Sequence, residues 1–373
     1  MDAKTKLGSA GEVSDGSLEV CIIAHPWIPS KDTGVGNERY TYELVRHLRI
    51  KGCSVKILDT GPHSSSLVSA VFKEIDAFRK SAGAKAQVYH AICPNGAKAL
   101  LMLGKGPAVT TIHDMIPFHK GQFEALIMNE YRRFCTSLSA RRSDMIVVPF
   151  AMTKDELVSR LGVRPEKIEV TGYGVDLDFF YPRPRTRNGT KRVLYVGGIS
   201  RAKGVDVLIQ AFDIVARDMP DVELVLGGSV FATGKEGDYI KRVLAQCRSS
   251  EKIRQIGHIP ERDLPLHYSL ADVAVFPSHT GFGLPTLEAM ACGTPTIAGK
   301  SLDAVILDGA TILVEPGNVV ELATAITKVL CNGGVQRDLA ETGIETAKRF
   351  SWERMADKLI NVYRNVGRSR AGN

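Results

Sequence analysis

The chain reads as a doubly wound α/β protein, with two Rossmann-like parallel-sheet domains facing each other across a cleft. Three observations predict this. Strand-length apolar runs alternate with helix-length amphipathic segments, the alternation restarts after a proline- and arginine-rich stretch, and each half has a glycine-bearing turn between a strand and a helix. At 373 residues the chain is also longer than the roughly 100–200 residues of a single domain.

Taken in order, Val20 to Ala24 is an apolar run closed by His25-Pro26, a buried strand entering a loop. Asp32-Thr33-Gly34-Val35-Gly36 then opens a helix with Tyr40, Leu44, Val45 and Leu48 at helical spacing, which Lys51-Gly52 ends. Val55 to Leu58, Val88 to Ile92, Ala108 to Ile112 and Met145 to Pro149 are further strands, with helices over Leu67 to Lys80 and Ala125 to Ala140 between them. Tyr181 to Lys191, where two prolines sit among basic residues, is the linker, because proline blocks regular structure and charge keeps the segment solvated. The rhythm resumes with strands at Arg192 to Val196, Val222 to Leu226, Ile253 to Ile256 and Asp272 to Phe276, and runs on to Ile306 to Val314; helices at Val205 to Arg217 and Tyr239 to Arg248 intervene. Ser351 to Val366 is amphipathic and must bury the stripe of Trp352, Met355, Leu359 and Tyr363, which we place across the domain junction. The expected divisions are residues 1–185, 186–350 and 351–373.

Composition narrows the function. With 44% hydrophobic and 24% charged residues the protein is globular, and no run approaches the roughly 20 apolar residues that span a bilayer. The polar, glycine-rich start does not read as a signal sequence, so a cytoplasmic location is expected. Seven scattered cysteines, none in a Cys-x-x-Cys pair, indicate buried free thiols rather than disulfides or zinc. A net charge of +7 admits a polyanionic partner, but it is dispersed and comes with no nucleic-acid motif, so no nucleic acid is expected. Tyr131-Arg132-Arg133 and Arg141-Arg142, with Phe134, Leu138 and Ala125 to Met128 nearby, form the densest basic and apolar segment; it reads either as a solvated helix face or as a peripheral contact with an anionic membrane, at the inner face.

Four segments carry chemistry. Phe276 to Pro295 is the most informative: a strand enters a glycine-bearing loop that opens a helix, so backbone amides and the positive end of the helix dipole point at whatever the loop holds. Glu288, on the first turns of that helix, can accept hydrogen bonds from ribose or sugar hydroxyls. Gly197-Gly198 with Arg201 and Lys203 puts two cations where a diphosphate can lie, and both can stabilise charge on a leaving group. Gly34 and Gly36 permit close backbone approach in the first half. His113-Asp114 ends a strand facing the cleft, where an imidazole can hydrogen-bond a sugar hydroxyl.

Together with Gly174-Val175-Asp176 and Phe179, these segments resemble the retaining, glycogen-synthase-like group (family four) of nucleotide-sugar glycosyltransferases with the GT-B fold. The resemblance implies a donor held by the second domain, an acceptor held by the first, a last helix crossing back to the first, and hexosyl transfer with retention of anomeric configuration. It implies a nucleoside-diphosphate sugar (UDP- or GDP-) as donor substrate, a sugar or lipid-linked acceptor of unassigned site, no cofactor and no obligatory metal. By resemblance, Glu288 meets the donor ribose; Gly281, Phe282, Gly283 and Leu284 meet the diphosphate and sugar through their amides; Arg201 and Lys203 clamp the diphosphate; His113 lies near the transferred sugar; and Gly34 to Gly36 close on the donor. Two departures stand out: Thr280 occupies the place of the first Glu of the group's Glu-x7-Glu motif, and Gly198 replaces a frequent Arg. A nucleotide-sugar epimerase, a phosphorylase of similar fold and a non-catalytic nucleotide-sugar-binding partner remain as alternatives.

Overall fold

The computed structural model describes residues 17–24, 36–60, 67–118, 126–184, 189–228, 235–278, 283–300, 307 and 309–371. Two six-stranded sheets, each parallel throughout, organise it. The first contains β1 (Glu19–Ala24), β2 (Ser54–Asp59), β3 (Val88–Ala91), β4 (Ala108–Thr111), β5 (Met145–Val148) and β6 (Ile168–Val170), in the order β2-β1-β3-β4-β5-β6. The second contains β7 (Lys191–Val196), β8 (Val222–Gly227), β9 (Ile253–Gly257), β10 (Val273–Phe276), β11 (Thr296–Gly299) and β12 (Ile312–Val314), in the order β12-β11-β10-β7-β8-β9.

In both sheets the strand order reverses once, between β1 and β3 in the first and between β7 and β10 in the second. Loops leaving the carboxyl ends of the strands on either side of such a reversal diverge and leave a crevice, the usual ligand position in this architecture. The segments after β7 and β10 are the two glycine-bearing segments singled out in the second half.

Helices cover both faces of the sheets, so the strands are apolar on both sides. Val273 and Val275 of β10 enter one core, which α6 (Val205–Asp218), α7 (Lys235–Gln246) and α10 (Val319–Cys331) close. Ala274 and Phe276 enter the opposite core with Leu287 and Met290 of α9 (Leu284–Ala291) and with Leu264 and Tyr268 of α8 (Leu264–Leu270). In the first sheet Val20, Ile22 and Ala24 face α1 (Gly36–Ile50), while Cys21 and Ile23 face α3 (Pro94–Met102). The remaining helices are α2 (Leu67–Gly83), α4 (Leu126–Arg142), α5 (Ala151–Leu161), α11 (Gly333–Ala347) and α12 (Trp352–Ala371).

The chain passes from the first sheet to the second around Gly174 and returns at Trp352, with Val175 donating its amide to the Phe350 carbonyl at 3.1 Å. A side chain at Gly174 would run into the Trp352 backbone nitrogen, so the two crossings lie in direct contact. α12 packs Trp352, Met355, Leu359 and Tyr363 into the core of the first sheet beside Tyr40 and Leu44. The Tyr363 hydroxyl meets His90 Nδ1 at 2.6 Å, and burial pushes that imidazole down to about 3, leaving it neutral.

Several expectations are corrected. The last strand covers Ile312–Val314, with Ile306 outside the described residues, and α7 covers Lys235–Gln246 rather than Tyr239 to Arg248. Not every thiol is buried: Cys93 is half-buried and Cys331 is exposed, while Cys21, Cys53, Cys135, Cys247 and Cys292 fit the expectation. Arg133 is not a freely solvated member of its helix face, since it donates to the Pro117 carbonyl, pairs with Glu130 at 2.9 Å and lies 5.7 Å above the Phe118 ring. Ala125 and the expected boundary at 185/186 fall outside the described residues. No helix among the described residues is long and apolar enough to cross a membrane.

Candidate functional site

The second sheet builds its half of the site from two strand-to-helix connections. After β7, Gly197 leaves the strand at φ +152°, Arg201–Lys203 form one 3-10 turn, and Gly204 at φ +70° starts α6. Gly204 is required twice: its left-handed backbone disfavours any side chain, and a Cβ there would collide with the Pro277 carbonyl oxygen. From the other side Gly299 presses on the Ser278 carbonyl in the same way. The segment leaving β10 is therefore held between two glycines. After it, Gly283 stands in extended conformation at the N-cap of α9, with Pro285 in the first turn. The N-termini of α6 and α9 thus both lie at the carboxyl edge of the sheet, at its reversal point, where the positive ends of their dipoles favour an anion, although Val205 and Thr286 already donate their amides to the Ser200 and Gly283 carbonyls.

Lys203 projects from the turn ahead of α6. It is exposed, and the protein packed around its base lowers its ammonium from the ordinary value while the Asp114 carboxylate of the first domain opposes the change. Arg201, in the same turn, holds its guanidinium 4.4 Å over the ring of Tyr239. Of the two cations expected to act as a clamp, Lys203 is the one whose charge the first domain feels, through Asp114.

Across the cleft, His113 follows β4. Both imidazole nitrogens have partners: Nε2 lies 3.0 Å from the Ile92 carbonyl, to which it donates, leaving Nδ1 to accept from the Tyr173 hydroxyl at 3.1 Å. Burial holds its pKa below the ordinary histidine value, so the ring is neutral. A sugar hydroxyl reaching this ring has to displace Tyr173. Tyr40 of α1 stands edge-on to it at 4.9 Å.

Glu288 has the least expected surroundings. It is only 2% exposed; one carboxylate oxygen accepts from Arg39 Nη1 of α1 and the other from the Tyr268 hydroxyl at 2.9 Å. Arg39 also approaches Glu261 through Nε at 3.4 Å. Leu284, at the start of α9, buries its side chain in the core of the first sheet. Of the residues expected at the site, Gly36 begins α1, whereas Gly34, Thr280, Gly281 and Phe282 lie outside the described residues. Arg39, Tyr268 and Glu261 were missed by the sequence reading. Arg39 sits directly beside the apolar stripe of α1, which hints at burial, but no local pattern names its partners. Among the described residues no three His, Cys, Asp or Glu side chains gather as a metal-binding group.

Comparison with known proteins agrees with this geometry. Residues 179–346 match the family model described as "Glycosyl transferases group 1", and residues 78–179 match "Glycosyltransferase Family 4". The structure superimposes on sucrose-phosphate synthase from Thermosynechococcus elongatus with a TM-score of 0.80 at 23% identity, covering 94% of this chain and 100% of that one. The fold is GT-B, and each domain matches a glycosyltransferase family model. In sequence the chain is 29% identical over 252 residues to a D-inositol 3-phosphate glycosyltransferase of Corynebacterium aurimucosum, covering 63% of this chain and 60% of the relative. It is 35% identical over 241 residues to its counterpart in Geodermatophilus obscurus, covering 59% of this chain and 52% of the relative. These matches thus span about half to three-fifths of the curated relatives.

Proposed function

We propose that the protein is a retaining glycosyltransferase that moves a hexosyl unit from a nucleoside-diphosphate sugar, UDP- or GDP-linked, to an acceptor hydroxyl. The observation that carries this reading is the convergence of two helix N-termini and Lys203 at the reversal point of the second sheet. That is a site for a diphosphate, because helix dipoles and an ammonium stabilise the charge that builds on a departing diphosphate. In front-face transfer the leaving diphosphate takes the acceptor's proton, so the protein's task is to orient the two substrates and hold charge. The neutral His113, with Asp114 beside it, lines the side from which the acceptor approaches. Glu288 supplies the contact to the ribose. The family matches in both domains support a glycosyltransferase over the epimerase and phosphorylase readings.

The acceptor is a sugar or a lipid-linked glycan. α4, with Arg132, Arg141, Arg142 and the exposed Phe134, is the surface we assign to contact with an anionic membrane that presents it. The test is mass spectrometry of nucleotide sugars retained by the purified protein, followed by a transfer assay with NMR assignment of the product's anomeric configuration. Transfer with retention is expected. An inverted product would overturn the mechanism, and tight donor binding with neither transfer nor hydrolysis would favour a non-catalytic partner.

A further inference from the structure

Glu288 is assigned above to the donor ribose, yet it already carries an ion pair that crosses the cleft. The pair belongs to a cluster: Arg39 from the first domain, and Glu288, Glu261 and Tyr268 from the second. Both carboxylates are buried, Arg39 retains only 13% of its side-chain exposure, and its guanidinium lies 5.8 Å above the Phe180 ring. The guanidinium thus pairs with two buried carboxylates. The planar guanidinium suits this, since Nε and Nη1 point in different directions and each takes one carboxylate.

Separating the domains would withdraw Arg39 from both carboxylates, so the pairing of Glu288 with Arg39 exists only while the domains are docked. Closure is therefore coupled to the orientation of the Glu288 carboxylate through one contact. A carboxylate offers about four acceptor positions. Arg39 and the Tyr268 hydroxyl use one on each oxygen, which fixes the plane of the group and leaves a position on each oxygen for the two ribose hydroxyls.

We propose that Arg39 is an interdomain latch and a positioning residue for Glu288: it holds the cleft closed and aims the carboxylate, so that nucleotide recognition is complete only when the first domain is docked. The proposal rests on the nucleotide-sugar reading for its ligand, but the latch itself is a property of the free protein.

Two measurements test it. Small-angle X-ray scattering of the ligand-free chain should give a larger radius of gyration for Arg39→Ala and Glu288→Ala than for the unsubstituted protein, with Arg39→Lys in between. Unchanged dimensions in both alanine variants overturn the latch whether or not a nucleotide binds. Calorimetry with UDP and GDP should show Arg39→Ala weakening the preferred nucleotide about tenfold, with the Arg39→Ala/Glu288→Ala double variant no weaker than Glu288→Ala alone, as residues acting through one contact behave. Strictly additive losses, or full affinity in Arg39→Ala, overturn the positioning role. In a transfer assay Arg39→Lys should raise KM for the donor with little loss of kcat and restore most of what Arg39→Ala loses. If the unsubstituted protein binds neither UDP nor GDP, the assigned donor fails while the scattering result still decides the latch.

Discussion

Two sets of charges straddle the cleft and they are built oppositely. Around Arg39 the charges are buried and committed to one another: one guanidinium, two carboxylates and a tyrosine hydroxyl from three helices and a turn. Around Lys203 the charge sits on a glycine-flanked turn whose tip reaches solvent, opposite an exposed Asp114. The first arrangement spends its charge on holding domains together, whereas the second keeps a cation available for a ligand. Lys203 is thus left to the ligand alone, whereas Glu288 joins stability to binding.

The sharpest way to break this division is Glu288→Ala. It strips Arg39 of one partner inside a buried cluster and should lower stability by about 3–5 kcal/mol, seen as a reduced urea midpoint, while also weakening nucleotide binding. Next in size, Gly204→Ala forces a side chain into a left-handed backbone and onto the Pro277 carbonyl. A loss of about 2 kcal/mol in thermal unfolding is expected, together with weaker binding because both loops shift. An unperturbed variant would show that the two loops are not held against each other.

Lys203→Ala should do the reverse, leaving stability within about 0.5 kcal/mol and costing roughly 1–3 kcal/mol of nucleotide affinity by calorimetry. Its pH dependence follows in sign: the protein packed around its base lowers Lys203 from the ordinary 10.5, and only the protonated amine pairs with a diphosphate. Affinity should therefore fall with rising pH before a free lysine would titrate, and Lys203→Arg should flatten that decline. Smallest of the set, Tyr268→Phe removes one hydrogen bond to Glu288 and should cost about 1 kcal/mol in stability. A cost equal to that of Glu288→Ala would mean that Tyr268, rather than Arg39, orients the carboxylate.

The sequence revealed what is written locally. Strands buried on both faces are continuous apolar runs, and glycine turns with adjacent cations announce themselves within ten residues, so β7, β10, Lys203 and Glu288 were legible. β6 was not, since Ile168–Val170 is a three-residue edge strand with Glu169 at its centre. α3 begins Pro-Asn-Gly, a poor helical start that holds because proline suits the first turn and Ala97, Leu100 and Leu101 pack into the core against Cys21 and Ile23. The Arg39–Glu288 pair joins positions 249 residues apart, and only the docked domains bring them together.

The return of α12 to the first sheet bears on how the protein is made. Trp352, Leu359 and Tyr363 supply one wall of a core whose other walls, from Val20 to Val147, emerge from the ribosome far earlier. The second domain has its own cores and can complete them in sequence. The first domain instead waits, its apolar face open, until nearly all of the chain described here has been synthesised, so the half translated first is the half that finishes folding last.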